Sequence, residues 1–190
     1  MSWNFYEADT VVFWDVTDFP IHTDRTYLET LKSVLVINGY TGGLKIKAYG
    51  EKKPNNLGDG VIFVPKREKY ARLNIMLLDI SLWGVDLVRL PLIPRNVIVL
   101  AENIKETTNF VTVSWNMRSA GTKCIWVLPD DYEDEKIYHL RLPSAHIFWR
   151  WQDLLDGKKP MSEEDVRALR LKAPSDLHYY PITGVKNNVS

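Results

Sequence analysis

The stretch Thr10-Val11-Val12-Phe13-Trp14-Asp15-Val16-Thr17-Asp18-Phe19-Pro20 opens as an apolar, β-branched run and stops abruptly at an acid. It then turns through Asp18 and Pro20. A run with no polar face reads as a strand buried on both sides, and such strands belong to α/β sheets covered by helices. A buried strand that delivers a carboxylate to its C-terminal end is a common way for these sheets to build a site. An Asp just past a strand is also ordinary turn and cap chemistry, so both readings of Asp15 stand at this point.

The rest of the chain repeats the alternation. Thr23 or Asp24 is placed to cap a helix running to about Asn38, with Tyr27, Leu28, Leu31, Val34 and Leu35 on one face and Gly39 as the stop. Leu44 to Tyr49 alternates with period two, and Val61 to Val64 is a short strand closed by Pro65. Lys52 to Gly60 is a loop rich in Pro, Asn and Gly. Glu68 to Gly84 carries a helical stripe of Leu73, Met76, Leu77, Ile80 and Trp83, with Asp79 at its border. Val97 to Leu100 is another buried strand. Phe110, Val113, Met117 and Ala120 fit a helix despite the β-branched Val111-Thr112-Val113, and Cys124 to Leu128 is a further parallel strand. The expected architecture is an open, mostly parallel sheet with helices on both faces. Its site lies beyond the carboxyl ends of the strands, in the loops Asp15–Ile21, Glu51–Gly60 and Ala101–Thr108.

Beyond Leu128 the composition shifts to the acidic run Asp130, Asp131, Glu133, Asp134 and Glu135, which reads as a solvated linker. Pro143-Ser144 opens an expected helix through Phe148, Trp149, Trp151, Leu154 and Leu155, ending at Gly157. Its aromatic residues serve either to dock the helix onto the domain or, through Trp149 and Trp151, to meet a protein partner. Ser162 to Asp165 resembles a capping box that starts a short helix to about Leu171. The expected divisions are a lead-in over 1–9, a domain over 10–129, a linker with helical extension over 130–172, and a tail over 173–190.

Several chemistries are set aside. The chain has no Gly-rich phosphate loop followed by Lys-Ser/Thr and no dinucleotide fingerprint; Gly39-x-x-Gly42-Gly43 is a helix stop plus a turn. His22, His139, His146 and His178 lack metal-ligand spacing. The single Cys124 sits in an apolar run, reads as a buried thiol and permits no internal disulfide. Neither a secretory leader nor a membrane-spanning run is visible, so a soluble, intracellular protein without membrane partners is expected. With 24 basic and 24 acidic side chains, bulk charge argues for no polyanionic partner. The local distribution differs. Between Lys45 and Arg72 eight basic residues face three acids, and Lys52, Lys53, Lys66, Arg67, Lys69 and Arg72 lie beside two loops of the expected site. Such a set contacts phosphates of single-stranded RNA without reading sequence; a solvated loop and helix start has the same pattern.

Five passages together resemble a known family. Val12-Phe13-Trp14-Asp15-Val16-Thr17-Asp18-Phe19-Pro20-Ile21 is similar to the opening "VFWDIENCPIP" of the plant NYN domains of limkain type. Val36 to Tyr40 with Lys47 to Gly50 resembles "NMGY…TAYGD", and Asp79 to Trp83 resembles "DMLFWA". Cys124 to Pro129 is similar to "ILLAQP", and Phe148 to Leu155 with Pro160 resembles the extension "VWLWTSLLAGGPP". The resemblance spans residues 10 to 162. It implies a PIN-like three-layer α/β/α sandwich with a C-terminal helical extension. In active members it implies RNA cleavage dependent on Mg2+ or Mn2+ held by converging carboxylates. A cytoplasmic location, with peroxisome association in some relatives, goes with the family.

The departures from the family pattern carry the functional expectation. Asp15 matches the family's first catalytic aspartate, and Thr17-Asp18 stands where the family has Glu-Asn. A helical acid is replaced by Leu73. Asp79 matches a family aspartate deeper in that helix, with a structural role. The family's "SGDRDF" signature is replaced by Leu100 to Phe110: aligned from the strand, Asn103 takes the first acid's place, and aligned from Phe110, Thr107 and Asn109 take both. Asp15, Asp18 and Glu102 are the candidate catalytic residues; Asp15, Asp18 and Asp79 are the candidate metal ligands, with Glu106 a further substitute. The expected function is a divergent NYN-domain protein of RNA metabolism and gene regulation, impaired in catalysis and acting by RNA or protein binding. The alternative is an active ribonuclease with a rearranged carboxylate set.

Overall fold

A computed structural model describes residues 4–22, 24–88, 94–104, 108–119, 121–133 and 147–171. Six strands, β1 (Thr10–Asp15), β2 (Leu44–Gly50), β3 (Ile62–Pro65), β4 (Arg95–Leu100), β5 (Thr122–Leu128) and β6 (Ile147–Arg150), form one sheet in the order β3-β2-β1-β4-β5-β6. Every pairing is parallel. The helices are α1 (Tyr27–Ile37), α2 (Lys69–Val88), α3 (Phe110–Ser119), α4 (Trp151–Leu155) and α5 (Glu163–Leu171). The chain is therefore α/β, and its layers suit a PIN-like sandwich.

Strand periodicity divides the core in two. On one face Val11, Phe13, Val97, Val99, Cys124 and Trp126 pack against Leu73, Met76 and Ile80 of α2, Phe110 and Met117 of α3, and Val166 of α5. On the other, Val12, Trp14, Ile98, Leu100, Ile125 and Val127 meet Leu31, Val34 and Leu35 of α1 and Leu154 of α4. Neighbouring residues of β1 thus serve opposite layers, as the pleat requires. The stripe expected on α2 is the buried one, with Leu77 and Trp83 packed at its margin.

The N-cap of α1 is Thr26 rather than Thr23 or Asp24. Thr26 Oγ1 accepts from the Glu29 N–H (3.1 Å), while Glu29 Oε2 accepts from the Thr26 N–H (3.2 Å). This reciprocal box satisfies two donors at the helix start. The helix ends at Asn38, and Gly39 takes a φ of 87°, the left-handed conformation that glycine adopts without a Cβ clash. Ser162 caps α5 in the expected way, its Oγ accepting from the Asp165 N–H at 3.0 Å.

The expected helix through Phe148 and Trp149 is corrected. Ile147–Arg150 is a strand, parallel to β5, and only Trp151–Leu155 is helical. Phe148 and Trp149 are both fully buried, one in each core layer. Adjacent side chains reach opposite layers from a strand and not from a helix. Residues after Pro129 thereby supply the sheet's sixth strand. The expected helix start at Pro143-Ser144, Glu106 and Thr107, His139, His146 and His178, and the tail over 173–190 lie outside the described residues. Among the described residues no helix is long and apolar enough to cross a membrane.

Candidate functional site

The strand order places β1 between β2 and β4, so the chain leaves β1 toward one side of the sheet and returns from β3 to the other. At such a switch point the loops after β1 and β4 diverge and leave a crevice at the carboxyl edge. Asp15 ends β1 there and is completely buried. The Thr17 and Asp18 N–H groups donate to its Oδ1 (3.0 and 3.4 Å), which folds the turn that follows the strand. Its Oδ2 accepts from Arg72 Nε at 2.8 Å. Arg72, in the first turns of α2, is itself only 3% exposed, and its Nη1 donates to the Arg67 and Lys66 carbonyls (2.8 and 3.4 Å). One guanidinium ties the ends of β1 and β3 to α2. Arg72 is thus an internal counter-ion and not part of a phosphate-facing surface.

One turn earlier on α2, Lys69 Nζ lies 3.1 Å from Asp18 Oδ1 and 2.9 Å from Glu102 Oε2. The Glu102 N–H donates to Asp18 Oδ2 at 3.1 Å, so the loop after β1 is tied to the loop after β4. Burial, then the charge of Asp15, push the Asp18 carboxyl above its ordinary value, partly opposed by Lys69. Burial works against the Lys69 ammonium, but its bonds to Glu102 and Asp18 outweigh that and raise its pKa. Asp15, Asp18 and Glu102 therefore converge as the sequence suggests. They converge on two cationic side chains.

Asp79 does not join them. It accepts from Tyr49 Oη at 2.7 Å and pairs with Lys47 at 2.6 Å. Seven residues past Arg72, it lies about 10 Å farther along the helix axis. Burial, with the Asp79 carboxylate beside it, pushes the Tyr49 phenol far up, which keeps it a donor. Leu73 is 1% exposed and faces the core.

The resemblance implies Mg2+ or Mn2+, and the donor set does not fit one. Mg2+ wants octahedral oxygen donors at close range. Here Asp15 is sealed against a guanidinium, and Asp18 and Glu102 share an ammonium. Among the described residues no group of three or more His, Cys, Asp or Glu side chains is arranged to hold a metal ion.

Lys52, Lys53, Lys66 and Arg67 are exposed on the loops after β2 and β3, at the same carboxyl edge, with Arg67 3.6 Å from Glu51. The opposite half of that edge is acidic. A cavity of about 490 Å³ opens between the ends of β4 and β5, and Glu102, Asp131 and Glu133 line it. A hollow of about 430 Å³ at the other edge of the sheet, between α1 and the start of β2, stands apart from all of these carboxylates. Trp149 is fully buried and its Nε1 donates to the Lys158 carbonyl at 3.0 Å. Trp151 packs edge-on against Trp14 and Phe19, with centroids 5.7 and 5.5 Å away. Both rings dock inward.

Arg72 as the partner of Asp15 is the residue that sequence reasoning missed. Its spacing offered the signal, since Arg72, Met76 and Ile80 fall four apart on the apolar stripe. No protein-family model matches this chain, and no curated protein matches it.

Proposed function

We propose that the protein is a divergent NYN-type domain of RNA metabolism in which two internal cations neutralise the nuclease centre, and that it binds single-stranded RNA along the carboxyl edge of its sheet. The observation that carries this reading is the pairing of Asp15 with Arg72 and of Asp18 and Glu102 with Lys69. Phosphodiester cleavage by a carboxylate-held metal needs acids that are free to ligate. Acids already paired to cations leave that task undone, and they no longer repel phosphate. The exposed Lys52, Lys53, Lys66 and Arg67 then supply the contacts that hold an RNA backbone without reading its sequence. An intracellular, cytoplasmic role accompanies this reading.

One observation favours a second reading. Asp15, Asp18 and Glu102 do meet at the switch point, and Lys69 is 38% exposed in its side chain. A ribonuclease with a rearranged site, using Mg2+ or Mn2+, would need Lys69 to swing aside. The two readings separate on labelled single-stranded RNA incubated with Mg2+ or Mn2+. Retention that weakens with salt and disappears in Lys66→Glu/Arg67→Glu, without cleavage, is the expected result. Metal-dependent cleavage that is abolished in Asp18→Asn/Glu102→Gln overturns the non-catalytic reading.

A further inference from the structure

We propose that β3 is a dimerisation edge, at which two copies of this chain pair their β3 strands antiparallel and join their sheets. The inference goes beyond the RNA-binding reading and does not rest on it.

The two ends of the sheet are finished differently. Beyond β6 the chain turns back, and the Met161 N–H donates to the Phe148 carbonyl at 2.8 Å in an antiparallel bridge. At the other end β3 is last in the strand order, with no described strand beyond it. The Lys66 N–H donates to the Gly50 carbonyl at 2.8 Å. In a parallel pair alternate residues bond to the same neighbour. Ile62 and Val64 therefore also turn their backbone groups to β2, while Val61, Phe63 and Pro65 turn theirs outward. An uncovered edge of this kind is a template for another strand. Pro65 stands at an outward position, where its missing N–H costs the existing ladder nothing.

Apolar surface continues from this edge onto α2. Val64 packs into the core layer beneath α2, so Ile62, two residues back, points to the same side, and more than half of it is exposed. Around α2, Gly84 faces Met117 of α3, and Asp79 on the opposite flank pairs with Lys47 of β2. At about 100° per residue, Ile75, Leu78 and Leu82 follow Asp79 round, away from α3. Leu78 and Leu82 are each more than half exposed. Between Tyr70 and Gly84 the charged side chains are the buried Arg72 and the Asp79 already paired to Lys47.

Charge selects the occupant. Asp59 precedes β3, and Lys66 and Arg67 follow it. Parallel strands would set like charges together, whereas an antiparallel copy sets the acid of each chain beside the cations of the other. Centred on Phe63, the pairing lets Phe63 exchange both backbone bonds with Phe63 of the partner copy. The Val61 N–H then donates to the Pro65 carbonyl opposite, and no N–H is asked of the proline. The axis is two-fold, so the contact closes at two copies. It also sets Ile62 of both chains between the two α2 flanks. β2 and its copy are then about three strand spacings apart, roughly 14 Å, little more than the ~10–12 Å width of a helix with its side chains. Leu78 and Leu82 thus reach across to their counterparts. A lone peptide strand would cover the edge and leave those leucines in water.

The test is sedimentation of the full chain together with amide hydrogen exchange. A monomer–dimer equilibrium should appear as concentration rises. The Phe63 and Val61 amides should exchange more slowly in the dimer, whereas Val64, bonded to β2, is protected throughout. Ile62→Lys, a charge at an exposed edge position, should raise the dissociation constant at least tenfold at an unchanged monomer unfolding midpoint. Leu78→Glu/Leu82→Glu, on the exposed flank of α2, should do the same. A nitroxide on Lys66→Cys should report a separation of roughly 20 Å between copies, since Gly60 of the partner copy stands opposite; Cys124 is buried and takes no label. A chain that stays monomeric up to millimolar concentration overturns the proposal. A dimer that survives either variant, or that leaves Phe63 exchange unchanged, also overturns it by placing the contact elsewhere. Growth beyond two copies overturns the closed pairing. Phe63 and Val61 amides protected at every dilution overturn it in favour of another segment of this chain covering the edge.

Discussion

The Asp15–Arg72 pair and the Asp18–Lys69–Glu102 triad are held one helical turn apart on α2, yet their surroundings differ sharply. In the pair the side chains are 0% and 4% exposed; in the triad the lysine is 38% and Glu102 44% exposed. Inside the protein an ion pair is neutral only as a unit, because removing one partner strands the other charge away from water. At a half-open site water takes over the solvation of whatever is left. The sealed pair is therefore a structural joint. The triad is the part of the site that can change partners.

The largest effect expected from this contrast is at Arg72. Arg72→Met should cost about 3–5 kcal/mol in urea unfolding, since Asp15 is left buried without its counter-ion. Adding Asp15→Asn should recover part of that loss, because an amide needs no counter-ion. A cost for Arg72→Met below about 1 kcal/mol would erase the distinction between pair and triad.

Lys69→Met should cost less, no more than about 1 kcal/mol as for other solvated ion pairs. Its clearer signature is at Asp18. Carbon-13 detection of the Asp18 carboxyl should give a midpoint above 3.8 in the unaltered chain, and a higher one in Lys69→Met, where the opposing ammonium is gone. A midpoint that falls in the variant would sharpen the comparison in the wrong direction and place Lys69 outside the triad.

The linkage signs differ for the two titrating groups. A carboxyl whose pKa is raised by folding binds its proton more tightly in the folded state, so Asp18 stabilises the fold at low pH. That contribution is lost as pH rises from 3.8 through its folded value. Lys69, raised above 10.5, contributes stability that is fully present below 10.5 and disappears as pH rises through its folded pKa. Unfolding midpoints across pH should show the acid-side slope shrinking in Asp18→Asn.

The smallest effect on stability belongs to the rim. Lys66→Glu/Arg67→Glu should leave the unfolding midpoint unchanged, because both side chains are exposed. A large loss there would mean that the rim, too, is part of the joint, through the carbonyls that Arg72 holds.

The alternation of apolar runs and helical stripes made β1 to β5, α1 and α2 legible, since each buried face follows the period of its element. The Thr26-Tyr27-Leu28-Glu29 spacing announces a capping box; nearer to Pro20, Thr23 and Asp24 offered competing caps of the same chemistry. β6 was hidden because four residues are too few to show a period of two, and Phe148, Trp151 and Leu155 also fit a helix. At the site, the convergence of Asp15, Asp18 and Glu102 followed from strand-end topology. What occupies the space between them depends on how a helix is rotated over the sheet, and a count of basic residues cannot tell a buried Arg72 from an exposed Arg67.

The central position of β1 bears on synthesis. β1 is made before its second neighbour, β4, which begins roughly 85 residues later, and at 5–20 residues per second that is a wait of about 4–17 seconds. Until then the strand carrying Val11, Phe13 and Trp14 has one open flank. For that interval the apolar middle of the finished sheet is an exposed edge on a growing chain, the kind of surface that chaperones cover.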